Sequence, residues 1–81
     1  MSQEMKDFMQ GNVGVCCRSE SDLKKFMSAV DDTVACEVDV SVWDGRKRNI
    51  AKYDTACNSV MFVPRSYFIT HGLMVVSAAM I

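Results

Sequence analysis

The feature that most constrains the fold of this chain is the alternating stretch CEVDVSVW at positions 36–43. Every second residue is apolar, and three of these residues are β-branched valines, which is typical of a half-buried β-strand. The sequence therefore predicts a strand with its valines against the core and its carboxylates in water. The inward set is Cys36, Val38, Val40 and Val42, and the outward set is Glu37, Asp39, Ser41 and Trp43.

A helix with one apolar face precedes this stretch, over residues 19–30. Its apolar residues recur at i, i+3, i+4 and i+7, which places them on one face of about three helical turns. The segment begins at Ser19 with SESD, which resembles a capping box with aspartate in place of glutamate. This is the main helix, and we expect it to pack on one face of a sheet. The apolar positions are Leu23, Phe26, Met27 and Val30.

The remaining elements predict an α+β fold in a single domain over residues 1–81. The order β-α-β-β-α-β suggests a small antiparallel or mixed sheet, with a ferredoxin-like arrangement as one form. A meander of three antiparallel strands with a crossing helix is the alternative. The predicted elements are a short helix at 3–9, strands at 12–18 and 58–63, a short helix at 64–72 and a final strand at 73–81, with 49–57 ambiguous.

Two features of the composition predict a cytoplasmic protein. The first ten residues lack the apolar core of a signal peptide, and no apolar run approaches the ~20 residues that span a bilayer. The four cysteines, at 16, 17, 36 and 57, contain no C-x-x-C pair. We therefore expect reduced cysteines packed as small apolar residues, with no metal site and no cofactor.

The candidate catalytic groups do not form a convincing set. Cys16 or Cys17 with His71 offers a thiol and a base, but no glycine cluster for an oxyanion hole and no third partner. Glu37 and Asp39 would lie about 6.6–7 Å apart along one strand, without a further ligand. No phosphate-binding glycine loop is present. The sequence therefore predicts no enzymatic activity.

Charge is divided unevenly along the chain. Residues 1–44 carry a net charge of −5 and residues 45–81 a net charge of +4, which together give −1. The division either predicts a charged partner surface or lets the two halves attract each other. The basic segment 46–52, with Tyr53 beside it, has the composition of a nucleic-acid contact. The near-zero net charge favours a solvated hairpin tip instead, so nucleic acid is not an expected partner.

Apolar residues exceed what one helix face can cover. The chain has seven methionines, and the segment LMVVSAAMI at 73–81 is apolar on both faces of an extended chain. Such a segment forms a central strand or an edge strand that pairs with another chain. A homodimer through 73–81 is therefore one expectation, and a methionine-rich core is the other.

Four segments resemble a loose group of small bacteriophage accessory proteins of unassigned function. They are MKDFMQGNVGVCC, SESDLKKFMSAV, VWDG and SYFITHGLMVVSA, whereas the basic cluster at 46–48 and the SAAMI ending depart from the pattern. The resemblance implies a phage or prophage setting. In that setting small proteins often inhibit host defence, with anti-CRISPR proteins among them.

The expected function is a non-enzymatic protein-binding module in the host cytoplasm that inhibits a host-defence protein, such as a nuclease or CRISPR effector component. Charged side chains would steer the partner, and an aromatic anchor would hold it. The alternatives are an oligomer that sequesters a small ligand or nucleotide, and a nucleic-acid-binding regulator. The predicted partner-binding residues are Glu37, Asp39, Trp43, Asp44, Arg46 and Arg48.

Overall fold

The computed structural model describes residues 3–33 and 37–81, with the side chains of 31–33 left undescribed. Three helices and five strands follow one another along these residues, and a short 3₁₀ turn comes near the end. The elements are α1 (Gln3–Met9), β1 (Val13–Cys16), α2 (Glu20–Thr33), β2 (Glu37–Val38), β3 (Ile50–Asp54), β4 (Ser59–Val63), α3 (Arg65–Thr70), β5 (Met74–Ser77) and the 3₁₀ turn Ala78–Met80.

The five strands form one mixed sheet in the order β2-β4-β3-β1-β5. β3 runs antiparallel to both of its neighbours, whereas β1 pairs with β5 and β2 pairs with β4 in parallel. Four strands therefore run in one direction and β3 in the other. The carboxyl ends of β1, β2, β4 and β5 consequently meet at one edge of the sheet, together with the start of β3.

One face of the sheet is covered by α1 and α2. Phe26 and Val30 of α2 are fully buried and belong to the same cluster as Phe8 of α1. Val15 and Phe62 join this cluster from β1 and β4. Three phenylalanine side chains thus form the centre of the larger core, and each contributes about 1.5–3 kcal/mol through its removal from water.

The opposite face is covered in part by α3. Phe68 of α3 is buried against Ile50 and Cys16, in a smaller cluster that Val75 also contacts. The alternation of strand side chains explains the division, because successive residues of β1 point to opposite faces. Val15 enters the larger core, and its neighbour Cys16 enters the smaller one.

The α+β prediction is confirmed, and the sheet is of the mixed kind. The main helix packs on one face, as expected, and its predicted cap is present: the Ser19 hydroxyl accepts a hydrogen bond from the Asp22 N–H at 3.2 Å. The ferredoxin-like variant does not match the observed strand order, because β5 lies parallel to β1 at the edge of the sheet.

The strands predicted at 36–43 and 73–81 are shorter than expected. In the first, only Glu37–Val38 is strand among the described residues, and the chain turns at 41–42. In the second, the strand is Met74–Ser77, and the 3₁₀ turn that follows places Ala78 in the larger core. Tertiary packing therefore ends both strands earlier than the apolar pattern indicates.

Candidate functional site

The candidate site is the part of one sheet face that α3 leaves uncovered. α3 packs near β1 and β5, whereas side chains on the same face of β2 and β4 meet solvent. A groove of about 230 Å³ runs between these two strands. We name four of the residues that line this groove the open face: Glu37, Asp39, Ser59 and Met61.

The open face combines two carboxylates with one large apolar side chain. Glu37 lies beside Ser59 in the parallel pairing of β2 with β4. The Asp39 N–H donates to the Val60 carbonyl at 3.1 Å, which brings Asp39 next to Met61. Met61 is 41 % exposed. Methionine is flexible and polarisable, so an exposed methionine beside an acidic side chain suits an adaptable contact with a partner.

β2 is an outer strand of the sheet, and its backbone is partly free. The N–H groups of Glu37 and Asp39 both donate toward the β4 side, to Asn58 and Val60. In a strand the backbone groups of successive residues point to alternate sides, so the N–H and carbonyl of Val38 face outward. Among the described residues no strand pairs with β2 there. The edge is therefore able to pair with an extended segment.

Asp39 is held as an ionised carboxylate. Its Oδ1 accepts hydrogen bonds from the Ser41 hydroxyl at 2.6 Å and from the Ser41 N–H at 3.0 Å. These two bonds lower the pKa of Asp39 below its ordinary value. The open face thus keeps this negative charge in mildly acidic solution.

A stack of three side chains borders the open face on the α3 side. The Nζ of Lys52 lies 5.6 Å from the centre of the Tyr67 ring, within the range of a cation–π contact. The His71 ring stacks against Tyr67, with 4.1 Å between the ring centres. Lys52 and Met61 are partners in the pairing of β3 with β4. The stack therefore places an aromatic ring and a cation beside the acidic groove.

The structure corrects the prediction that the valines of 36–43 lie inside. Val38 packs against the larger core, but Val40 and Val42 are 45 % and 43 % exposed. The reason is the turn after Asp39, where Ser41 bonds back to the carboxylate and the chain leaves the sheet. The carboxylates of Glu37 and Asp39 are exposed, as expected. Cys36, the first member of the predicted inward set, lies outside the described residues.

Trp43 does not lie on the exposed face where the alternation placed it. Its indole N–H donates to the Cys17 carbonyl at 2.9 Å, and its ring packs against the larger core. The ring therefore fixes the loop that follows β2 to the end of β1. The side chain is partly buried, and its role as an anchor for a partner stays a prediction.

Asp44 organises the basic loop that follows. Its Oδ1 accepts from the Arg46 N–H at 2.8 Å, and its N–H donates to the Arg48 carbonyl at 3.1 Å. Arg46, Lys47 and Arg48 are exposed at the edge of the sheet where β1 ends. The predicted binding residues are thus divided: Glu37 and Asp39 share the open face, whereas Asp44, Arg46 and Arg48 belong to a separate loop.

The structure places the cysteines that it describes and His71 in different surroundings. Cys17 is fully buried, and burial raises its pKa to about 12, so its thiol stays protonated. His71 is exposed at the C-terminal cap of α3, where its Nδ1 lies 2.8 Å from the Tyr67 carbonyl. Cys16 is buried as expected, but Cys57 is exposed in the turn between β3 and β4, contrary to the expectation of burial.

A second cavity was not predicted from the sequence. It measures about 250 Å³ and lies where β1 and β5 end, with Arg18, Asp22, Arg65 and Ser77 in its lining. Residues 18 and 65 are far apart in sequence, and only the parallel order of the strands brings them together. A single arginine after a strand does not by itself predict a pocket. The direction of the strands was therefore the information that the sequence did not supply.

Comparisons with protein-family models, with curated proteins and with solved structures find no match to this chain. Within the described residues, no helix is both long and apolar enough to cross a bilayer. The same residues contain no group of three or more histidine, cysteine or acidic side chains placed to hold a metal ion.

Proposed function

We propose that this protein is a non-enzymatic binding module that docks a basic segment of another protein on the open face. One observation carries the proposal: Glu37 and Asp39 are both exposed and line one groove together with Met61. Two carboxylates attract a cationic segment, and the methionine supplies apolar area for its side chains. The outward backbone groups of Val38 add hydrogen bonds to an extended partner.

The same geometry favours binding over catalysis. Both carboxylates are exposed to water, where their interactions with charge are weak compared with those in an enclosed site. A catalytic acid or base is instead tuned by burial or by a close charged neighbour. An exposed acidic groove on an edge strand is better suited to steering a partner than to transferring a proton.

The partner that fits this surface is a protein with a basic groove or strand, such as a nuclease or a CRISPR effector component. The resemblance of the chain to small bacteriophage accessory proteins supplies the biological setting. In that setting a stoichiometric inhibitor acts in the host cytoplasm by covering cationic side chains that otherwise contact nucleic acid.

The experiment is capture from host lysate with immobilised wild-type protein, followed by affinity measurements on the captured protein. The test variant combines Glu37→Lys with Met61→Ser. The matched control combines Glu20→Lys with Met80→Ser, an exposed acid and an exposed methionine outside the open face. We expect the test variant to bind at least about tenfold more weakly, and the control to bind like wild type.

Raised salt should weaken the wild-type complex, because the attraction between exposed charges is screened. Equal affinity of the wild type and the test variant for the captured protein would contradict the proposal. Capture of no protein would contradict it as well. A partner that binds the test variant normally but is lost on Arg46→Gln would assign binding to the basic loop instead.

A homodimer through β5 is a second, separate proposal. β5 is an outer strand of the sheet, and Met74 at its start is 70 % exposed. Pairing of this edge with a second copy would continue the sheet and cover Met74. Light scattering at increasing protein concentration tests this, with Met74→Lys as the variant. A strict monomer at all concentrations would reject the dimer.

A further inference from the structure

The pocket at the ends of β1 and β5 gathers cations from two distant parts of the chain. β1, β4 and β5 run in the same direction, so the residues that follow them meet at the end of the sheet where these three strands finish. Arg18 follows β1, and Arg65 begins the helix that follows β4. Ser77 is the last residue of β5. All three residues line the same cavity of about 250 Å³.

The positive charge in this pocket is not neutralised by an ion pair. The side chains of Arg18 and Arg65 are both exposed, and no carboxylate among the described side chains forms an ion pair with either of them. Asp22 also lines the pocket, but its Oδ2 accepts from the Arg18 N–H at 3.3 Å as part of the helix cap. Two cations and one carboxylate leave a net positive site.

Ser77 adds a hydrogen-bond donor to the pocket. Its Oγ accepts from the Ala79 N–H at 3.2 Å, so the oxygen is oriented by the 3₁₀ turn that follows β5. The hydroxyl hydrogen stays available to donate. Val75 and Val76 supply the apolar part of the lining. The lining of the pocket therefore combines two arginines and one serine with a small apolar wall.

We propose that this pocket binds a small phosphate monoester. Guanidinium groups match phosphate oxygens through pairs of parallel hydrogen bonds, and a serine hydroxyl completes the set of donors. The cavity is smaller than the roughly 300 Å³ at which pockets for drug-sized ligands begin. A compact phosphorylated metabolite fits this volume, whereas a dinucleotide exceeds it. The site is independent of the open face, and neither proposal depends on the other.

The test is a titration of ¹⁵N-labelled protein, followed by amide NMR, with glycerol 3-phosphate, with inorganic phosphate and with glycerol alone. We expect saturable shifts centred on Arg18, Arg65 and Ser77 with both phosphates and none with glycerol. Arg18→Gln and Arg65→Gln should each weaken binding about tenfold or more. Arg48→Gln, an exposed arginine outside the pocket lining, is the matched control and should bind like wild type.

Three results would overturn the proposal. The first is the absence of saturable shifts up to about 10 mM phosphate ester. The second is an equal loss of binding in Arg48→Gln, which would indicate nonspecific attraction of anions. The third is tighter binding of a single-stranded RNA with the same dependence on Arg18 and Arg65, which would assign the pocket to a nucleic-acid backbone. If a glutamine variant fails to fold, the corresponding lysine variant, Arg18→Lys or Arg65→Lys, is measured instead, because lysine keeps the positive charge.

Discussion

The ring of Phe68 lies directly against the backbone of Gly14, so that a Cβ at residue 14 would come within 2.4 Å of Phe68 Cζ. The same atom would lie 2.6 Å from Cγ2 of Ile50. Gly14 is therefore the position on β1 that lets α3 pack close to the sheet. Without this contact the smaller of the two cores would lose its central ring.

Gly14→Ala should destabilise the protein by about 1–3 kcal/mol, because the added methyl group overpacks the contact with Phe68. Urea denaturation of the variant measures this change. Phe68→Leu removes the ring that collides, so the double variant should cost less than the two single changes added together. Additive costs in this double-mutant cycle would show that Gly14 and Phe68 do not constrain each other.

Trp43→Phe should cost about 1–2 kcal/mol, because the Cys17 carbonyl loses the indole N–H that satisfies it. Chemical denaturation checks the value, and Tyr53→Phe is the control. That change removes an exposed hydrogen bond of 2.6 Å to Asn58 and should cost less than about 0.5 kcal/mol. Equal costs for the two variants would contradict a structural role for the indole N–H.

Ser19→Ala should lower stability by about 1 kcal/mol, because the hydroxyl that caps α2 is removed. Ser21 is the natural control, since it lies exposed in the first turn of the same helix. Ser21→Ala should be neutral or slightly stabilising, because alanine has the higher helix propensity. Thermal unfolding followed by circular dichroism compares the pair. A larger loss in Ser21→Ala than in Ser19→Ala would be inconsistent with the observed cap.

Cys17 should make the protein less stable in alkaline solution. Burial raises its pKa from 9.0 to about 12 in the native state, so above pH 9.0 the unfolded chain loses a proton that the folded chain keeps. The contribution of the protonated Cys17 thiol to the free energy of unfolding is complete below pH 9.0. It is lost as the pH rises toward 12. Urea denaturation at about pH 8 and about pH 10 measures the decline.

Cys17→Ala should show a smaller decline over this interval than the wild type, although it starts from a lower stability. Cys57→Ala is the control, because Cys57 is exposed. Its pH dependence should match that of the wild type. An identical decline in wild type and Cys17→Ala would show that other groups account for the alkaline loss.

Local patterns were sufficient where one element decides its own structure. The apolar spacing from Leu23 to Val30 predicts α2, and SESD predicts its cap, because helix periodicity and capping involve only neighbours in sequence. α1 and the turn at Gly72, whose φ is +65°, follow from similar short-range signals. The exposure of Glu37 and Asp39 was likewise correctly predicted, since charged side chains rarely enter a core.

Alternation was not sufficient over 36–43, because it cannot show where a strand loses its partner. The pairing of β2 with β4 ends at Val38 and Val60, although β4 continues to Val63, because the Asp39–Ser41 turn leads the chain away from the sheet. Val40 and Val42 are exposed for this reason, and Trp43 turns back to Cys17. The outward direction predicted for Trp43 was wrong because its hydrogen-bond acceptor, Cys17, follows β1, 26 residues away in sequence.

The sequence by itself determined the elements that rest on local interactions: the capped helix α2, the short helices, and the strands β1 and β4. Only the tertiary structure decided strand direction and order, because pairing depends on contacts between residues distant in the chain. Those contacts place Met61 of β4 beside Asp39 on the open face. They also bring Arg18 and Arg65 to one pocket, which no pattern along the chain could have indicated.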